Sequence, residues 1–400
     1  MQDLKHLRNI GAFRSGVRRP AFSAADMEAR LWLCNRMSEA GLEASIDGMG
    51  NVLGCSRNPG KKLLLGSHTD TQPQGGWLDG ALGVIYGLEV ARACAEAPET
   101  AHYGIDVASW SDEEGTYMGI LGSSSFCGTL DRDDFNKAVD HLTGVSLQEA
   151  IKAAGLAGIP PIRLDKNDYL AYLEAHIEQG PHLEAQELLL GVVTAIVGLR
   201  TFKLTFTGEQ NHAGTTPMEY RKDAGNALIR LAHALDLEFS SLAHSRTVWT
   251  IGHIQLDPGS PSVVPGRAEM LLQFRDTDEA LLDAMQNKAS GLVQKFCEQG
   301  PVKVQLEPVF PHQESALMDE TVQNCLAAAA ELHAPGRWTR MPSGAGHDAQ
   351  ILARHLPSGM LFIPSIGGIS HDTNEDSKAE DIIRGCRALA DATEAIFKDM

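Results

Sequence analysis

The chain has 400 residues, 43% apolar and 22% charged, the profile of a soluble globular protein large enough for more than one domain. Its formal charge of −18 argues against nucleic acid or an anionic membrane surface as a partner, since both call for a basic face. No apolar run approaches a membrane span, and residues 1–6 carry no apolar signal core, so a cytoplasmic address is expected. The seven Cys are scattered without C-x-x-C spacing and read as reduced thiols, most of them small core residues.

In chain order, Met27, Leu31, Leu33, Cys34 and Met37 predict a helix over 25–40 that Gly41 stops. The run 63–65 reads as a buried strand, followed by a helix from about Gly80 through Val84, Leu88, Ala91 and Cys94. Runs 105–110, 169–175 and 359–363 read as further buried strands. Strands alternating with helices predict an α/β fold with a mixed central sheet flanked by helices. The middle of the chain differs. Residues 200–208 alternate apolar and polar, as do 247–254 and 268–275, with helix-like stretches at 223–237 and 279–296. This pattern suits antiparallel strands solvated on one face. It predicts an α+β unit over 196–311, inserted between the two parts, 1–195 and 312–400, of the larger domain.

Five short motifs follow the apolar runs. They carry His68 and Asp70 in Gly66-Ser67-His68-Thr69-Asp70, Asp79 in Leu78-Asp79-Gly80, the pair Glu113-Glu114, His176 in Glu174-Ala175-His176-Ile177-Glu178-Gln179-Gly180, and His371 after Gly367-Gly368. Any one of these alone reads as a turn residue, a solvated charge or a satisfied core histidine. Together, three His, one Asp and one Glu can hold two divalent metals, with a spare Glu to activate water. Asp79 has an oxygen for each metal. Of the pair Glu113 and Glu114, one ligates and the other serves as general base. Asp70 is expected to hold the second imidazole nitrogen of His68, and Glu375 is expected to support His371 from outside the ligand set. Open α/β sheets place sites past the carboxyl ends of strands, where these motifs lie. The chain therefore reads as a hydrolase.

In the inserted unit, His212 stands between a strand and Gly214-Thr215-Thr216-Pro217, suited to polarise a carbonyl or oxyanion. Arg275, at a strand end, suits a bidentate clamp on a carboxylate. The Gly-rich loop Ser343-Gly344-Ala345-Gly346 offers backbone N–H groups to an anion.

Taken together, and in this order from about residue 50 to 375, the motifs resemble the metal-dependent amidase family of N-carbamoyl-L-amino acid hydrolases, β-ureidopropionases and allantoate amidohydrolases. That family is related to the aminoacylase-like di-zinc metallopeptidases. The motif around His176 is the most specific, because the peptidase relatives usually carry an acidic ligand there. The resemblance implies a di-zinc exopeptidase-like catalytic domain with an inserted lid and dimerisation domain. It implies two divalent ions, with zinc the first choice and manganese, cobalt or nickel able to occupy the same ligands. Asp79 would bridge them, His68 and His176 completing one site and Glu114 and His371 the other, with Glu113 as general base. The partner protomer of a homodimer would supply His212. Gln179 would contact a carbamoyl or ureido group, and Arg275 with Ser343, Gly344 and Gly346 would hold the substrate carboxylate.

Two positions depart from the family pattern. Ser262, in Ser262-Val263-Val264-Pro265-Gly266, stands where the family's carboxylate-binding Asn is expected, and Gln273-Phe274-Arg275 replaces Asp-x-Arg. The expected activity is hydrolysis of a linear C–N bond in an N-carbamoyl amino acid or related ureido acid. The competing expectation is an N-acyl amino acid deacylase or dipeptidase using the same ions.

Overall fold

The computed structural model describes residues 1–309 and 312–400. The chain forms two compact units, one of Met1–Ile196 with Leu317–Met400 and one of Val197–Ala316. The expected end of the insertion, at 311, lies outside the described residues.

The first unit is built on a mixed sheet. Its strands run side by side as Leu190–Ile196, Ser358–Ile363, Tyr169–Ile177, Lys62–His68, Gly104–Trp110, Val52–Cys55 and Glu43–Ile46. Lys62–His68 is parallel to both neighbours, and Ser358–Ile363 is parallel to Tyr169–Ile177. Four consecutive strands therefore end at one edge, with His68 opposite Trp110 and His176 opposite Phe362. Leu63, Leu64 and Leu65 are each 0% exposed, because helices cover both faces of a parallel sheet. Burying each such side chain contributes about 1.5–3 kcal/mol.

The helix Ala81–Glu96 lies directly on this sheet. A Cβ on its Gly83 would come within 2.3 Å of the Ala175 carbonyl, so glycine is what permits the close approach. The helix Ala24–Glu39 starts where the sequence predicts, with Ser23 accepting the Asp26 N–H. Two of the longer strands of this unit were not legible. Leu190–Ile196 merges in sequence with the strand that follows it, Gly198–Thr207. Trp338–Ser343 is short, polar and carries Pro342, as strands at a sheet margin do.

The second unit is a four-stranded antiparallel sheet in the order Val248–Asp257, Arg267–Asp276, Gly198–Thr207, Lys303–Pro308. Every second residue of Arg267–Asp276 is buried, as the alternating pattern predicts. The helices Ala224–Leu242 and Glu279–Gln299 pack on that face around Phe206, Phe239, Met270 and Phe274. Among the described residues, no helix is long and apolar enough to cross a membrane.

Candidate metal centre

The parallel strands deliver two imidazoles to one point. His68 is the last residue of its strand, and its Nδ1 lies 3.1 Å from the Asp70 main-chain oxygen. His176 sits one residue before its strand ends, with Nδ1 2.9 Å from the Ile177 oxygen. Each Nδ1–H is thereby spent on a carbonyl, which turns both Nε2 atoms inward, that of His176 accepting the Gly80 N–H at 3.1 Å. They lie 3.6 Å (His68) and 3.1 Å (His176) from Oδ1 of Asp79. Gly80, the residue after Asp79, has φ +64°, and a Cβ there would fall 2.4 Å from the His68 ring. Only glycine satisfies both conditions.

The other oxygen of Asp79 faces a second group. Oδ2 is 3.5 Å from His371 Nε2, which is 3.4 Å from Glu114 Oε2. His68, Asp79 and His176 form one set of ligand atoms and Asp79, Glu114 and His371 another, the atoms of each lying within 4.8 Å of one another. The sets differ in burial. His68 and His176 are each 1% exposed, whereas the His371 side chain is 51% exposed and its φ is +55°. Gln179 likewise has a left-handed φ of +59°. Non-glycine residues in this region are strained and gather at functional sites.

Outer residues hold the ligands. One oxygen of Glu375 accepts the N–H groups of Leu78 (3.1 Å) and Asp79 (3.0 Å), and the other accepts the Ser370 hydroxyl. A Cβ on Gly76 would lie 1.9 Å from this carboxylate, so a glycine makes room for it. Glu375 thus orients Asp79 through the main chain, where support of His371 was expected. The Gln72 amide donates to Glu114 Oε2 at 2.9 Å.

Asp70 requires a correction. Its carboxylate is 3.8 Å from His68 Nδ1, too far for a hydrogen bond, and its main-chain carbonyl takes that proton instead. The carboxylate accepts the Glu113 N–H at 3.4 Å and the Glu114 N–H at 3.2 Å. It fixes the acidic pair rather than the imidazole. Glu113 Oε2 is 3.5 Å from His68 Nε2, on the same side as the first group.

The electrostatics favour a cation. Burial pushes the Glu113 and Glu114 carboxyls well above the usual range, and neighbouring carboxylates add to the shift. Burial alone would lower His68, yet Glu113, Asp79 and Asp70 hold it well above its ordinary value. Burial would raise Asp79, yet His176 and His68 hold it well below. Several carboxylates converge here with imidazoles whose lone pairs face them, and one carboxylate presents an oxygen to each side. Oxygen and imidazole donors in this arrangement fit two divalent cations. Gln179 Nε2 donates to Asp79 Oδ2 at 3.0 Å, while its buried Oε1 has no partner and remains available as an acceptor beside the ligands.

The sequence reading did not single out His347. It is 1% exposed, its ring meets that of His176 edge-on at 4.6 Å between centroids, and its Nε2 is 2.9 Å from the Ser343 hydroxyl oxygen. Burial and the nearby His176 push it well below its usual value. A histidine ending a Gly-rich loop was the available signal. Ser343 is turned inward, bonded to Ala345 and His347, while Gly344 is exposed.

Within the second unit, Asn211–His212 pairs with Val263–Val264. His212 Nδ1 accepts the N–H groups of Gly214 (3.0 Å) and Thr215 (3.1 Å), so a neutral ring carries its proton on Nε2 as a donor. The main-chain oxygen of Ser262 accepts the Ala213 N–H, which ties Ser262 to the His212 turn. Gln273 Oε1 accepts from Arg275 Nε at 3.1 Å and Nη2 at 2.9 Å. The glutamine thus braces the guanidinium from the position where the family's aspartate is expected.

Residues 64–395 match the family model described as peptidase family M20/M25/M40. An allantoate amidohydrolase of Bacillus subtilis is 34% identical over 383 residues, 94% of this chain and 92% of that protein. An N-carbamoyl-L-amino acid amidohydrolase of Geobacillus stearothermophilus is 35% identical over 399 residues, 97% of this chain and 95% of that one. The crystal structure of an amidase of the hydantoinase/carbamoylase family from Burkholderia phymatum superposes with a TM-score of 0.91 at 50% identity, over 99% of this chain and 96% of that one. Matched by this family model over most of its length and similar to these proteins over 94–99% of its residues, the chain belongs to peptidase family M20/M25/M40 and, within it, to the hydantoinase/carbamoylase amidases.

Proposed function

We propose that the protein is a two-ion amidohydrolase that cleaves a linear ureido C–N bond in an N-carbamoyl amino acid or a related ureido acid. The observation that carries this reading is the Asp79 carboxylate, one oxygen toward His68 and His176 and the other toward His371. His68, His176 and Asp79 would hold one ion, and Asp79, Glu114 and His371 the other. Divalent ions so bound lower the pKa of water and polarise a carbonyl. Zinc is the first choice for such ligands, ahead of manganese, cobalt or nickel.

The chain's own residues do the rest. Glu113 takes the proton of the attacking water and later gives it to the leaving nitrogen. Gln179 offers its unpartnered oxygen to the terminal ureido N–H groups. Hydrolysis of the ureido group by one water yields carbon dioxide, ammonia and the free amine. Arg275, braced by Gln273, and the loop at Gly344 and Gly346 are the groups suited to a substrate carboxylate, whereas the inward-turned Ser343 hydroxyl holds that loop and His347.

The inserted unit is the lid and dimerisation unit in this reading, and His212 is its oxyanion donor. In support, the sheet-edge strand Val248–Asp257 is exposed along most of its length, with Val248 and Ile254 each 54% exposed. A cytoplasmic setting would keep the unpaired thiols reduced.

The test uses matched N-carbamoyl and N-acetyl derivatives of the same amino acids, with ammonia and free amine assayed in parallel. Ammonia and amine released together from the carbamoyl compounds, with the acetyl compounds inert, support the reading. Cleavage of the acetyl compounds alone would reassign the enzyme as a deacylase.

A further inference from the structure

The N-terminal twenty residues had no part in the site as read from sequence, yet they touch both loops that carry its ligands. The short hairpin Ala12–Phe13 and Gly16–Val17 lies against the segment that joins His68 to Asp79. Val17 exchanges both main-chain hydrogen bonds with Gly75, each 3.0 Å, and the Arg18 guanidinium donates to the Pro73 oxygen at 2.9 Å. The same hairpin reaches the loop that follows His371. The Ser15 hydroxyl donates to Asn374 Oδ1, and Gly16 packs on Thr373. A Cβ on Gly16 would lie 2.3 Å from the Gly75 oxygen and 2.8 Å from Thr373 Cα. Both neighbours are backbone, so neither can rotate away.

Arg19 completes the contact from inside. It is 1% exposed and its Nε donates to the Thr69 oxygen, the residue after His68, at 2.6 Å. Its Nη1 donates to the Leu7 and Ile10 oxygens, at 2.9 and 2.8 Å. Its main chain exchanges bonds with Thr71, accepting the Thr71 N–H and donating to the Thr71 hydroxyl oxygen. Burial draws its pKa down to about 10 while Asp26 and Asp70 hold it up, so the buried guanidinium stays charged. A buried cation spending its donors on three carbonyls is suited to holding backbone in register.

The two halves of the centre are unequally supported. His68 and His176 stand on adjacent sheet strands with their Nδ1 atoms tethered. His371 is half exposed, has a left-handed φ and lies in a loop, two residues from Thr373. We propose that the N-terminal hairpin with Arg19 is a clamp that fixes the 69–76 segment against the loop after His371 and so sets how firmly Asp79, Glu114 and His371 retain their ion. Arg19 and Gly16 are positioning residues in this role. The proposal rests on the two-ion reading above.

The test follows zinc release from the zinc-loaded full-length protein into excess chromophoric chelator, with hydrogen exchange of residues 366–376 measured alongside. Two zinc ions per wild-type chain, leaving in a fast and a slow phase, are expected. Gly16→Ala should speed the fast phase by about 10–100-fold, the usual cost of disturbing a ligand's outer support, and raise exchange in 366–376. The slow phase should stay within about threefold of wild type, which shows that the sheet-borne half is folded. Arg19→Lys keeps the charge but replaces the two spaced nitrogens that serve Thr69, Leu7 and Ile10 with one ammonium nitrogen, and should give a smaller change of the same kind. Wild-type release from both variants would overturn the clamp and leave the two-ion reading standing. Equal acceleration of both phases would overturn it as well, reducing the hairpin to general structural support. Fewer than two ions in wild type would overturn the two-ion reading and the clamp with it.

Discussion

The Asp70 carboxylate accepts the Glu114 N–H at 3.2 Å, while the main-chain carbonyl of the same residue lies 3.1 Å from His68 Nδ1. One buried residue thereby sets the position of a ligand candidate from each group. Asp70→Asn keeps the main-chain contact but leaves one carbonyl oxygen to serve two N–H groups. Ion affinity should fall by about 10–100-fold, with the larger loss in the group containing Glu114. Calorimetric titration of the stripped protein reads this directly, and unchanged affinity would remove Asp70 from the positioning role.

Glu113 lies beside His68 yet belongs to neither ligand set. Glu113→Gln should retain two ions per chain and lose turnover by about 10²–10⁴-fold, the range of general acid–base catalysis. Metal analysis and kcat on the same preparation separate the two effects. Loss of an ion along with activity would make Glu113 a ligand instead of the base.

Gly80→Ala places a methyl 2.4 Å from the His68 ring at a φ of +64°. The backbone strain alone costs about 1–3 kcal/mol, and relieving the clash must move His68 or Asp79. A lowered Tm and a marked loss of ion from the His68–His176 group are expected. A variant with wild-type metal content would show that the packing is looser than described.

Gln273 braces Arg275 through two donors onto one oxygen. Gln273→Ala removes this brace and should raise KM by about tenfold for a carboxylate-bearing substrate, the worth of one charge-assisted hydrogen bond. The kcat should change little, because binding is weakened equally in ground and transition states. A fall in kcat at constant KM would instead assign Arg275 to the chemical step.

The catalytic unit was legible where one physical signal governed it. Leu63 to Leu65 announce a buried parallel strand by unbroken apolarity and 105–110 another by Ile105, Val107, Ala108 and Trp110, and ligands past their ends follow from strand order. Leu190–Ile196 was lost because no turn signal separates it from the strand after it. In the site, residue types and order pointed to the two ligand groups, but atoms did not follow from residue types. An aspartate two residues from a histidine can use its carboxylate or its main chain, and only the fold decides which. His347 and Arg19 depend on contacts far apart in sequence, which no spacing rule records.

The most direct test of the two-ion centre is anomalous diffraction at the zinc edge from crystals of the zinc-loaded protein. Two peaks are predicted, one between Asp79, His68 and His176 and one between Asp79, Glu114 and His371. A single peak, or two that do not share Asp79, would contradict the account.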